Sequence, residues 1–154
     1  MRLSDLLAED RVTTSLSAPN KDVALDALAR LLAPGAGGLG AEAIARVLRS
    51  RELLASTGVG DEVAIPHGRV AGLTQIIAAL AVAPDGIAFD AIDHRPVRIF
   101  IAILAPDRAP GDQLRALARV SRLLRDVRVR DRILAAPTPA ELLRVIQDEE
   151  IGLT

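Results

Sequence analysis

Cysteine is absent from this 154-residue chain, which excludes disulfides, thiolate metal sites and cysteine nucleophiles. Tryptophan and tyrosine are missing too, leaving Phe89 and Phe100 as the whole phenyl-ring complement. Without flat aromatic platforms the chain has no means of stacking on unpaired bases. Charge of one sign is not in excess either. The formal net charge is −1, which argues against a strongly basic nucleic-acid binder. The longest apolar run, 76–83, falls far short of the ~20 residues a membrane-crossing helix needs. Asp5, Glu9 and Asp10 interrupt the N-terminus before a secretory leader could form. These absences describe a soluble, cytoplasmic protein with no direct membrane insertion and no nucleic-acid partner.

What is present is aliphatic. Half the residues are apolar, so the core must be built from Leu, Ile, Val and Ala. The length suits one domain, 1–154, with a sizeable core, and no internal repeat is visible. Residues 3–8 read as a helical turn and 12–16 as a strand. Val23, Ala27, Leu28, Leu31 and Leu32 recur at helical spacing and predict a helix over 20–33, closed by Pro34-Gly35. A second helix is expected over 41–54, with Ile44, Val47 and Leu48 inward. Near-continuous apolar stretches at 76–82 and 97–104 suit central strands covered on both faces. Beyond them Asp112 is positioned to cap a helix, and Thr138-Pro139-Ala140-Glu141 is a capping box with proline at the first helical position. Helices first, strands in the middle and helices last predict an α/β single domain, a mixed β-sheet flanked by helices. The central connections are too short for crossovers, hence mixed rather than parallel.

The chemistry concentrates in residues 51–69. His67, one of two histidines, follows Pro66 and precedes Gly68, with Arg51, Ser56, Thr57, Gly58 and Gly60 upstream. A neutral imidazole near hydroxyls, backbone N–H groups and a guanidinium can accept a phosphoryl group and hold its oxygens. A buried structural histidine is the bland reading. On the residues alone the two readings stand about level. His94, within Asp93-His94-Arg95-Pro96, reads as an exposed turn residue. No recognised metal-ligand spacing links His67, His94 and the aspartates, so no metal and no cofactor is expected. Residues 35–40 match G-x-G-x-x-G, but they follow a helix rather than a strand, which makes them a helix–helix linker.

Residues 51–67, RELLASTGVGDEVAIPH, resemble the active-site signature of the type-2 EIIA domains of the bacterial sugar phosphotransferase system. Gly86-Ile87-Ala88-Phe89-Asp90 through Asp93 to Pro96-Val97 resembles a second family feature, and the similarity extends over most of the chain. A stand-alone protein of this length most resembles the nitrogen-regulatory branch. The resemblance implies that His67 accepts phosphate through Nε2 from an HPr-like phosphocarrier. Arg51 would neutralise phosphoryl oxygens, and Ser56, Thr57, Gly58 and Gly60 would donate hydrogen bonds to them. The downstream partner it implies is an EIIB domain or a regulatory protein target.

The chain departs from the pattern at two places. Glu62, preceded by Asp61, replaces a family glycine, and two carboxylates beside the site would repel a phosphoryl group. Gln113 stands where active members carry a second histidine, with Arg115 a potential substitute. The alternative is therefore a chemically degenerate EIIA-like interaction module acting by protein binding only. A metal-dependent hydrolase using His67, His94 and the aspartates is a weaker third reading.

Overall fold

Polar side chains cap three of the helix starts in the computed structural model, which describes residues 1–152; residues 153–154 of the expected domain lie outside it. The chain opens with α1 (Leu3–Leu6), a 3₁₀ turn and β1 (Val12–Thr13), shorter than the expected 12–16 strand. The Asn20 side chain accepts from the Val23 N–H at 2.9 Å and starts α2 (Lys21–Leu32). The glycine-containing stretch after it is a linker, as expected, and leads to α3 (Ala41–Leu54). Five short and long strands follow: β2 (Gly58–Gly60), β3 (Val63–Ala64), β4 (His67–Val70), β5 (Ile77–Ile87) and β6 (Val97–Pro106). Three helices close the chain: α4 (Pro110–Leu124), α5 (Val127–Ala135) and α6 (Pro139–Ile151). Thr138 caps α6 through Glu141 N–H at 3.1 Å, as the capping box predicts. Asp112 does not cap α4. Pro110 is its first residue and Asp112 its third, inside the first turn rather than before it and paired with Arg115.

β5 and β6 form the antiparallel centre of the sheet. Ile99, Ile101 and Ile103 face α1 and the three C-terminal helices, while Phe100, Ala102 and Leu104 face α2 and α3. Each strand serves two cores, so apolar residues run on without the alternation of a half-exposed strand. Ala79, Ala81 and Ala83 line the α2–α3 side against Ala24, Ala29 and Ala45, small residues that let the layers approach closely. β1 pairs parallel to β5, and β3 and β4 pair parallel to β6 in succession, with β2 antiparallel at the edge. The sheet is open and mixed. β5 also runs through Pro84-Asp85-Gly86, a tripeptide of turn-forming residues, at the cost of an irregularity between Val82 and Ile87.

β3 and β4 are in effect one strand along β6, broken at Ile65-Pro66. Pro66 has no N–H to give the ladder and holds Ile65 extended. The break delivers His67 to the carboxyl end of β6, next to the start of α4.

Candidate functional site

His67 opens β4, pairing with Ile103, and its ring is half-buried. Its Nδ1 lies 2.8 Å from the Ile65 carbonyl oxygen. A carbonyl only accepts, so Nδ1 carries the proton and Nε2 keeps its lone pair. Burial, the largest influence, lowers the His67 pKa below its ordinary 6.5; the Ile65 carbonyl opposes this, Arg51 adds to the lowering and Glu52 opposes it. The net effect keeps the ring neutral near pH 7, the form that can attack an electrophile.

The ring borders a cleft of about 610 Å³ lined by α3, β4, the chain leaving β6 and the first turn of α4. Gly68 is what lets α3 come this close. A Cβ there would overlap Val47 Cγ1, so only glycine fits behind the histidine. Arg51 sits in the last turn of α3 with Nη1 donating to the Ala55 carbonyl at 2.8 Å, a fixed anchor for a cation at a helix C-terminus. Gln113 lines the opposite side. Its Nε2 is buried, and is the one such side-chain N or O without a hydrogen-bond partner among the described residues. An orphaned buried amide is costly unless something else accepts its proton.

Of the residues singled out in the sequence, His67, Arg51 and Gln113 therefore meet in one cleft. The remaining ones do not line it. The Ser56 hydroxyl donates to the Phe89 carbonyl at 2.8 Å and accepts from Gly58 N–H at 3.0 Å, bracing the loop. Thr57 is buried, and its hydroxyl donates to Glu52. Gly58 and Gly60 lie on the edge strand β2, where Gly58 lets the backbone at Ala91 pack close. Arg115 pairs with Asp112 and points to a different surface.

The carboxylates at 61 and 62 are also displaced from the expected place. Asp61 (φ 56°) and Glu62 (φ 66°) form the two-residue connection between β2 and β3, both left-handed, the conformation a tight hairpin needs. The Glu62 carbonyl accepts from Arg98 N–H at 2.9 Å, whereas His67 pairs with Ile103, so about 15 Å of extended chain separates them. The Glu62 carboxylate is bound by Arg98 and, at 3.2 Å, by Arg95, and the Arg98 bond holds its pKa down. Its charge is compensated away from the site.

Sequence reasoning missed Glu52, Ser50, Arg69 and Asp107. Glu52 is a buried carboxylate that accepts from Thr57 N–H at 3.0 Å and pairs with Lys21 at 2.7 Å, tying α2, α3 and the following loop together. Its one signal was adjacency to Arg51. Ser50 lies one residue before Arg51, and Arg69 lies two after His67 on the same side of β4; Asp107 enters only through the chain reversal after β6. His94 is exposed at φ 60°, the turn residue expected. No three His, Asp or Glu side chains gather to hold a metal ion among the described residues.

Known proteins align with this arrangement throughout. The family model for the phosphoenolpyruvate-dependent sugar phosphotransferase system, EIIA 2, matches residues 5–149. The nitrogen regulatory protein of Pseudomonas aeruginosa is 32% identical over 152 residues, 99% of each chain. That of Bradyrhizobium diazoefficiens is 38% identical over 136 residues, 88% of each. The crystal structure of nitrogen regulatory protein IIA-Ntr from Neisseria meningitidis superimposes with a TM-score of 0.88 at 26% identity, covering 94% of this chain and 98% of that one. With its signature, its mixed sheet and its full-length match to nitrogen-regulatory relatives, this chain belongs to the type-2 EIIA family of the phosphotransferase system.

Proposed function

We propose that this protein is a cytoplasmic regulatory phosphocarrier that takes a phosphoryl group on His67 Nε2 from an HPr-like donor. The observation that carries the reading is the state of that ring: Nδ1 tied to a carbonyl and Nε2 free, in a cleft with a guanidinium and an unpaired amide. The Nε2 lone pair attacks phosphorus, and the P–N bond to the donor histidine breaks with its electron pair returning to the donor ring. No proton need move. The product ring gains cationic character, which the Nδ1–H bond to Ile65 stabilises. Arg51 and Gln113 compensate and orient the phosphoryl oxygens, and α4 presents its N-terminus to the same cleft. Ser56, Thr57 and the glycines of β2 support this reading only indirectly, by holding the end of α3 and its following loop. Onward transfer would go to an EIIB domain, or the phosphorylated and free forms would favour different regulatory targets.

Incubation with Enzyme I, an HPr-type carrier and radiolabelled phosphoenolpyruvate tests the reading. An acid-labile, alkali-stable label that disappears in His67→Ala is expected, and an unlabelled wild type would refute it. The alternative, a binding module without chemistry, rested on Asp61, Glu62 and Gln113. It loses its carboxylate argument because Glu62 faces Arg95 and Arg98. Partner capture equally strong for wild type, His67→Ala and His67→Asp would restore it.

A further inference from the structure

Asp61 lies away from the His67 cleft and lines a second, smaller one of about 180 Å³, between the β2–β3 hairpin and the end of α4. The two clefts share no lining residue. The floor of the second is apolar, with Val63, Ile65 and Leu124 all buried. Three exposed polar side chains stand around it: Asp61 from the hairpin, and Ser121 and Arg125 from the end of α4. The carboxylate, hydroxyl and guanidinium have no hydrogen-bond or ion-pair partner among the described residues. Opposite charges thus line one apolar hole without pairing with each other.

The walls are held in place. Asp61 is left-handed at φ 56°, and its N–H donates to Asp93 Oδ2 at 3.1 Å. Arg130 Nη1 donates to the Leu124 and Arg125 carbonyls at 2.8 and 2.9 Å, fixing the end of α4. Ile65 is tied from both sides, its N–H donating to the Thr57 carbonyl at 3.0 Å and its carbonyl accepting from His67 Nδ1. A preformed hole spares its occupant much of the cost of ordering the site.

We infer that this cleft binds a small zwitterion, an α-amino acid with a short aliphatic side chain. The ammonium pairs with Asp61, the carboxylate takes the Arg125 guanidinium and the Ser121 hydroxyl, and the side chain covers the apolar floor. Size agrees, since the volume is about six waters' share of liquid and lies below the ~300–1,000 Å³ of pockets for drug-sized ligands. A ligand with one charge satisfies one wall and desolvates the other without compensation. Neither the site nor its test depends on His67 accepting phosphate.

Valine, isovalerate and isobutylamine present one branched frame with both charges, the carboxylate alone and the ammonium alone. Each is titrated into isotope-labelled protein while NMR follows the methyls of Val63, Ile65 and Leu124 and the amides of Asp61 and Arg125. Valine should bind with a Kd of about 0.1–10 mM, at least about tenfold more tightly than either analogue. Asp61→Asn, which tolerates the left-handed turn, and Arg125→Gln should each weaken valine about tenfold and leave the rest of the spectrum in place. No shifts with valine, equal affinity for an analogue, shifts centred on the His67 cleft, or binding unmoved in either variant overturns the inference.

Discussion

Gly68→Ala isolates the packing that sets the cleft. In a strand, replacing glycine by alanine ordinarily gains roughly 0.5–1 kcal/mol, because the unfolded chain loses freedom. Here the added Cβ would fall short of the ~3.5–4.0 Å carbon–carbon optimum to Val47 Cγ1 by more than about 1 Å. Val47 is β-branched and in a helix, so it cannot rotate freely away, and α3 must shift instead. Overpacking of this kind costs about 1–3 kcal/mol. With an m-value of about 1–3 kcal/mol per molar urea, the unfolding midpoint should fall by roughly 1 M. The same Cβ lies 3.6 Å from Val47 Cβ, an ordinary contact, so Val47→Ala removes the clash outright. The double variant should therefore be more stable than Gly68→Ala alone, a coupling of about 1–2 kcal/mol in a double-mutant cycle. His67 labelling should follow, slowed in the single variant because α3 carries Arg51, and restored in the double. A stable Gly68→Ala, or a double variant no better than the single one, refutes the packing argument.

The His67 ring protons should titrate below 6.5 by NMR, and Arg51→Gln should move the midpoint upward, since Arg51 lowers that pKa. Linkage follows with a definite sign: as pH falls below 6.5 the unfolded chain binds the proton first, so stability drops until pH passes the folded value, and His67→Gln flattens that part of the curve. Glu62→Gly should leave His67 labelling within about twofold while costing about 0–1 kcal/mol for its partly exposed ion pairs, measured by urea unfolding; a large rate change would return its carboxylate to the site. Glu150, fully buried, accepts from Ser4 N–H at 2.8 Å and pairs with Arg119 at 3.2 Å. Glu150→Ala should cost about 3–5 kcal/mol and open the amides of Leu3 and Ser4 to hydrogen exchange; unchanged protection there would deny that Glu150 holds α1.

Where long-range pairing matters little, the chain was legible. The helix over 20–33 was visible because its apolar spacing is local, as is the Asn20 cap that the structure shows at its start. The central strands were visible because burial on both faces leaves no alternation to confuse. β4 was missed because four residues containing His, Gly and Arg carry no strand pattern of their own. They are extended because β6 offers them hydrogen bonds from Ile103 to Pro106. β2, two glycines around one valine, is a strand for the same reason, its partner being β3.

The site divides in the same way. That His67 and Arg51 were candidates for one site came from residue types and a long, specific signature, and Gln113 entered as a departure from the family pattern; none of this needs coordinates. Which donors face the ring was not, because a hydroxyl's direction depends on what competes for it. Glu52 takes Thr57, and the Phe89 carbonyl takes Ser56, before any ligand arrives. Glu62 stood close to His67 along the chain, yet the sheet register carries it to Arg95 and Arg98 instead. Sequence by itself determined the family and the aliphatic core and singled out His67 as the candidate imidazole, since these follow from composition and local order. Only tertiary structure decided the cleft's walls and which side chains line it, since these depend on which distant segments the sheet brings side by side.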